Sequence, residues 1–137
     1  MTNQKKFEHS VNVLLKALLN NTLVHGRCKA CAVGNLIAAS LGINIYLEEH
    51  DWPKWRTNLY TGHEWLHPEF DEIETANFFY RSVGYTQDQI YKIEHAFEAA
   101  PMYDDWVLNG LMAVVDVLAE IHEIDLTTVK ETKELFV

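Results

Sequence analysis

The sequence is poor in the residues that force unusual architectures. Two cysteines in 137 residues are too few for the disulfide framework on which small secreted domains rely. Six glycines and three prolines exclude a collagen-like or low-complexity chain. No apolar run approaches the roughly 18 to 20 residues of a membrane span, and Met1-Thr2-Asn3-Gln4-Lys5-Lys6 leads into a charged, amphipathic stretch rather than a signal-peptide core. Basic residues are scarce as well: eleven Lys plus Arg stand against twenty Asp plus Glu, a net charge of −9. That excess repels nucleic-acid phosphate and anionic membranes. No Walker-type or dinucleotide glycine loop occurs, and neither Gly-x-Ser-x-Gly nor Ser-x-x-Lys. These absences predict a cytoplasmic protein of one domain, 1–137, with no direct hold on nucleic acid or membrane. A chain of this length buries about two-thirds of its unfolded surface, enough for a core without staples.

The charge is unevenly placed. Residues 1–47 hold Lys5, Lys6, Lys16, Arg27 and Lys29 against Glu8 alone, a net +4, which leaves −13 for residues 48–137. No Lys or Arg lies between Lys92 and Lys130, where Glu94, Glu98, Asp104, Asp105, Asp116, Glu120, Glu123 and Asp125 fall. A second basic-free stretch, between Arg56 and Arg81, holds Glu64, Glu69, Asp71, Glu72 and Glu74. Such stretches are either solvated faces or acidic surfaces for a basic partner.

Helical periodicity accounts for most of what remains. Phe7, Val11, Leu14 and Leu18 step by four, three and four, an amphipathic helix over 4–20 that Asn20-Asn21-Thr22 ends. The small and apolar run 28–41, closed by Gly42, predicts a buried central helix in which Gly34 serves close packing. Pro68 suits the first position of a helix whose apolar face is Phe70, Ile73, Ala76, Tyr80 and Val83, with Gly84 at its end. Thr86-Gln87-Asp88-Gln89 has the form of a capping box, followed by Ile90, Ile93, Phe97 and Ala100 at helical spacing. Asp104 or Asp105 opens a long helix carrying Val107, Leu111, Val114, Leu118 and Ile121, and a shorter helix covers 127–136. The expected fold is mostly α, a compact bundle of five or six helices, with the stripes of the first, fourth and fifth packed on the central 28–41 helix. Residues 42–67 interrupt it. Ile43, Ile45 and Leu47 alternate like a short strand, and Trp52, Trp55, Tyr60 and Trp65 make the segment strongly aromatic. Rings in such numbers either fold back over the core or form a binding surface.

Three short motifs carry possible chemistry. His63-Glu64-Trp65-Leu66-His67 matches the H-E-x-x-H string, in which two histidines one helical turn apart bind zinc and the glutamate is the general base. Pro68 biases His67 away from the helix this needs, and the third ligand has only positional candidates in Glu94, His95 and Glu98. Cys28 and Cys31 with His63 and His67 reproduce the two pair spacings of a structural zinc site, His25 or His50 being substitutes, but the pairs stand 31 residues apart. The same Cys-x-x-Cys could be a redox pair at a helix start, yet no strand of a βαβ unit precedes it. His9, His95 and His122 lie on expected helices and read as surface or core-edge residues.

Cys31-Ala32-Val33-Gly34-Asn35-Leu36 resembles the helix start of some uncharacterised small helical proteins of bacteria and their phages. The resemblance implies no activity. Phage proteins of this size and acidity include inhibitors of host defence, anti-CRISPR proteins among them, which occupy basic nucleic-acid channels. The sequence points first to a non-catalytic acidic interaction protein that binds a basic protein partner; the analogy with such phage proteins extends this to an inhibitor of a host nucleic-acid-handling or defence complex. Its expected contacts are Trp52, Trp55, Tyr60, Trp65, Glu69, Asp71 and Glu72. The alternative is a zinc protein using Cys28, Cys31, His63 and His67, structural in the first instance and hydrolytic through Glu64 in the second.

Overall fold

A computed structural model describes residues 2–23, 32–41, 55–57, 64–66, 83–103 and 105–137. Among the described residues the protein is mostly α, a compact bundle with five helices: α1 (Asn3–Leu19), α2 (Ala32–Leu41), α3 (Gln87–Glu98), α4 (Trp106–His122) and α5 (Leu126–Glu134). A two-stranded antiparallel pair, β1 (Trp55–Thr57) and β2 (Glu64–Leu66), lies between α2 and α3 in the chain.

Four of the described helices begin where a side chain can satisfy an orphan N–H. Thr2 accepts from the Lys5 amide (3.2 Å), Asp105 from Leu108 (3.1 Å) and Asp125 from Thr128 (2.8 Å). Before α3 the bond is reciprocal: Thr86 Oγ1 accepts from the Gln89 amide (3.2 Å), and the Thr86 amide donates to Gln89 Oε1 (3.0 Å). Helix ends use left-handed backbone, at Asn21 after α1 (φ 56°) and at Glu123 after α4 (φ 55°). Gly84 also has positive φ (84°), which only glycine adopts at no steric cost.

Phe7, Leu14, Ile37, Ile90, Ile93, Phe97, Leu111, Val114 and Leu118 are fully buried and belong to one core. α4 is the hub among the described helices, packing against α1, α3 and α5, while α2 packs against α1 and α3. The expectation that the 28–41 segment is the central element is corrected on this point. α4 is longer and has two apolar stripes, Leu111-Val114-Leu118 and Val115-Ala119-His122, so it can serve three neighbours. α3 comes close at Gly110, where a Cβ would meet Phe97 Cδ1 at 2.7 Å and the Phe97 carbonyl oxygen at 2.9 Å. Asn109 next to it donates to the carbonyls of Pro101 (3.0 Å) and Tyr103 (2.8 Å), tying down the connection between the two helices.

A polar clasp fixes α2 against α1. Thr22 Oγ1 donates to Asn35 Oδ1 (3.0 Å) and Asn35 Nδ2 donates to the Thr22 carbonyl (2.8 Å), which satisfies a buried amide in mid-helix. The expected 68–83 helix lies outside the described residues except at Val83, as do Ile43, Ile45 and Leu47. α5 starts one residue before the expected Thr127, with Asp125 as its cap.

Candidate functional site

Two features stand out beyond the core: a buried polar relay beside a cavity, and an acidic helix face.

The relay joins three residues far apart in the chain. Ser10 Oγ lies 2.7 Å from Tyr85 Oη, and Tyr85 Oη lies 2.7 Å from His122 Nε2. All three are at least nine-tenths buried, with 4, 6 and 4% of their surface exposed. α1 contributes Ser10 from its core stripe, one turn after Phe7; α4 contributes His122 from its last turn, one turn after Leu118. Tyr85 is set between them just after the glycine bend at Gly84. The His122 ring also meets Tyr85 at 5.4 Å and the edge of Phe7 at 6.5 Å between centroids.

This environment sets protonation. Burial holds the His122 imidazole below its ordinary range, and the positive charge of Lys6 adds to the effect. Burial pushes the Tyr85 phenol up, an effect that the Ser10 hydrogen bond partly offsets. Tyr85 therefore stays a hydroxyl with one proton to give, and the relay has two polarities: Ser10 donates to Tyr85 and Tyr85 to His122, or the order is reversed. Alongside lies a cavity of about 350 Å³, lined by the polar residues Lys6, His9, Ser10, Ser40, Tyr85 and His122 and by the apolar Leu36, Ala39 and Val83. The Thr22–Asn35 clasp places the helix that carries Leu36 and Ala39.

The acidic face is on α4. Asp116, Glu120 and Glu123 follow at four and three residues, all exposed, and Asp125 extends the row past the helix end. Asp116 Oδ1 is bridged by Lys133 Nζ at 2.7 Å. Leu126 and Val137 beside the row are 87 and 89% exposed. With Met112, Val129, Lys130 and Lys133 they line a shallow groove of about 450 Å³ between α4 and α5.

Of the residues singled out in the sequence, Cys28, Cys31, Trp52, Tyr60, His63, His67, Glu69, Asp71 and Glu72 lie outside the described residues. Trp55, Glu64 and Trp65 are described in their backbone: the strand register opposes Trp55 to Leu66, Arg56 to Trp65 and Thr57 to Glu64. Glu64–Leu66 is thus extended, where H-E-x-x-H chemistry requires a helical turn to bring both histidines to one ion. Among the described residues, no group of three or more His, Cys, Asp or Glu is placed to hold a metal. Glu94, His95 and Glu98 sit on α3, with His95 stacked on Tyr91 at 6.0 Å. None of the helices among the described residues is long and apolar enough to cross a membrane.

Sequence reading missed the relay. His122, read as a surface or core-edge residue, is buried. A signal did exist: His122 continues the Val115-Ala119 stripe, and Ser10 stands between Phe7 and Leu14 in theirs.

Set beside known protein families, curated proteins and solved structures, the chain matches none of them.

Proposed function

We propose that the protein is a non-catalytic acidic interaction protein whose α4 face engages a basic protein partner. The observation that supports this reading is the stripe of Asp116, Glu120 and Glu123, continued by Asp125 and bordered by the exposed Leu126 and Val137. Carboxylates repeated along one helix face give a field that steers a basic surface into place, and adjoining apolar side chains supply area to desolvate. A surface built to hold nucleic-acid phosphate is the complement such a stripe fits. The proposed role is inhibitory occupation of that surface, in the manner of phage inhibitors of host nucleic-acid-handling or defence complexes. Trp52, Trp55, Tyr60 and Trp65 with Glu69, Asp71 and Glu72 form the second part of the proposed interface.

The test is capture from host lysate on immobilised protein, wild type beside Glu120→Lys/Glu123→Lys, at low and high salt. Basic polypeptides retained by the wild type, and released both by salt and by charge reversal, are the expected result. Equal retention by both proteins at both salt concentrations overturns the proposal. Metal analysis separates it from the zinc reading: stoichiometric zinc that is lost in Cys28→Ser/Cys31→Ser moves the function to a metal site.

A further inference from the structure

The cavity beside the relay has a chemical character opposite to that of the protein as a whole. Lys6 and His9 line it, and among the described residues no carboxylate does. Glu8, the one acid of α1, faces a different groove, between α1 and α5, and accepts a hydrogen bond from Gln4 Nε2 at 3.1 Å. The local charge is therefore that of the +4 N-terminal third. Leu36, Ala39 and Val83 contribute apolar surface to its lining. A volume of about 350 Å³ falls at the small end of ligand pockets, which span roughly 300 to 1,000 Å³.

We propose that this cavity binds a small organic carboxylate, whose anionic end is drawn by Lys6 and hydrogen-bonded by Ser10 while its hydrocarbon body lies on Leu36, Ala39 and Val83. The relay determines how Ser10 meets it. When Ser10 donates to Tyr85, its oxygen turns lone pairs toward the cavity and repels an anion. When His122 Nε2–H donates to Tyr85 and Tyr85 to Ser10, the serine proton is released for the ligand. A bound carboxylate selects the second polarity and places a proton on His122 Nε2, by tautomer exchange or by uptake from water. One cation and a small apolar surface fit a monocarboxylate better than a phosphate, which brings about two negative charges near neutral pH.

The experiment is a titration of the ¹⁵N-labelled imidazoles with benzoate, with inorganic phosphate as comparator. Saturable binding at about millimolar or tighter is expected, with His122 Nε2 moving toward its protonated shift. Lys6 is exposed, so Lys6→Ala folds, and it weakens benzoate binding by about tenfold or more. Tyr85→Phe breaks the relay: benzoate still binds and perturbs His9, but His122 Nε2 no longer moves toward its protonated shift. The absence of saturable change with benzoate and with short aliphatic carboxylates overturns the proposal. Phosphate saturating where benzoate does not overturns its ligand class, and Lys6→Ala binding as tightly as wild type overturns its charge argument.

Discussion

Tyr85 Oη and His122 Nε2 lie 2.7 Å apart across 37 positions of sequence, so the start of α3 and the end of α4 share one hydrogen-bonding proton. Ser10 brings α1 to the same atom. Tyr85→Phe removes both bonds while keeping the ring, leaving two buried polar groups without the partner seen here. Its expected cost is about 1 to 3 kcal/mol, read as a lower urea midpoint with an unchanged denaturant slope. A midpoint equal to wild type contradicts the relay's structural part.

The depressed His122 pKa makes stability depend on pH. In the unfolded chain the imidazole titrates near about 6.5; in the folded protein, burial and Lys6 hold it lower. Between those values the unfolded state binds more protons. The stabilisation is complete above the unfolded value and is lost as pH falls through the folded one. Urea midpoints recorded from pH 7.5 down to 5 are expected to fall, with a shallower decline in His122→Gln. Equal slopes for the two proteins would remove His122 as the source.

Gly110 tests the α3–α4 contact. Alanine improves helix propensity by about 1 kcal/mol, but its Cβ would meet both the ring and the carbonyl of Phe97. Overpacking of this kind costs about 1 to 3 kcal/mol, so Gly110→Ala is expected to lower the thermal midpoint. Adding Phe97→Leu relieves only the ring part, because the carbonyl contact belongs to the backbone. A raised midpoint for Gly110→Ala alone shows that the helices are not this close.

Thr86→Ala removes one half of the capping box and is expected to cost about 1 kcal/mol, seen in chemical denaturation. Gln89→Ala, which removes the other half, is expected to cost less. If Thr86→Ala is neutral, the reciprocal bonds do not anchor α3.

What was legible in the sequence was local. The Phe7-Val11-Leu14 stripe, the Thr86–Gln89 box and the helix start at Asp104 or Asp105 each depend on residues within a turn or two of one another, where side-chain type largely dictates geometry. The relay depends on pairs separated by 75 and 37 positions, and nothing in helical spacing says which polar residue of one stripe will meet which of another. α4's place at the centre was hidden for a related reason: hydrophobic content made 28–41 look innermost, but the number of neighbours follows from a helix's length and how many of its sides are apolar. The acidic stripe was half visible. Its lack of Lys and Arg could be counted, while the exposure of Leu126 and Val137 beside it needed the fold.

The proposed function is tested most directly by the salt dependence of affinity for the captured partner. Screening shortens the Debye length from about 10 Å at 0.1 M to about 3 Å at 1 M, so wild-type affinity should fall steeply over that range. Glu120→Lys/Glu123→Lys should lose about tenfold or more at low salt, ~1.4 kcal/mol, and show a flatter slope. Affinity that is unchanged across the salt series, and equal in the two proteins, would contradict the acidic face of α4 as the binding surface.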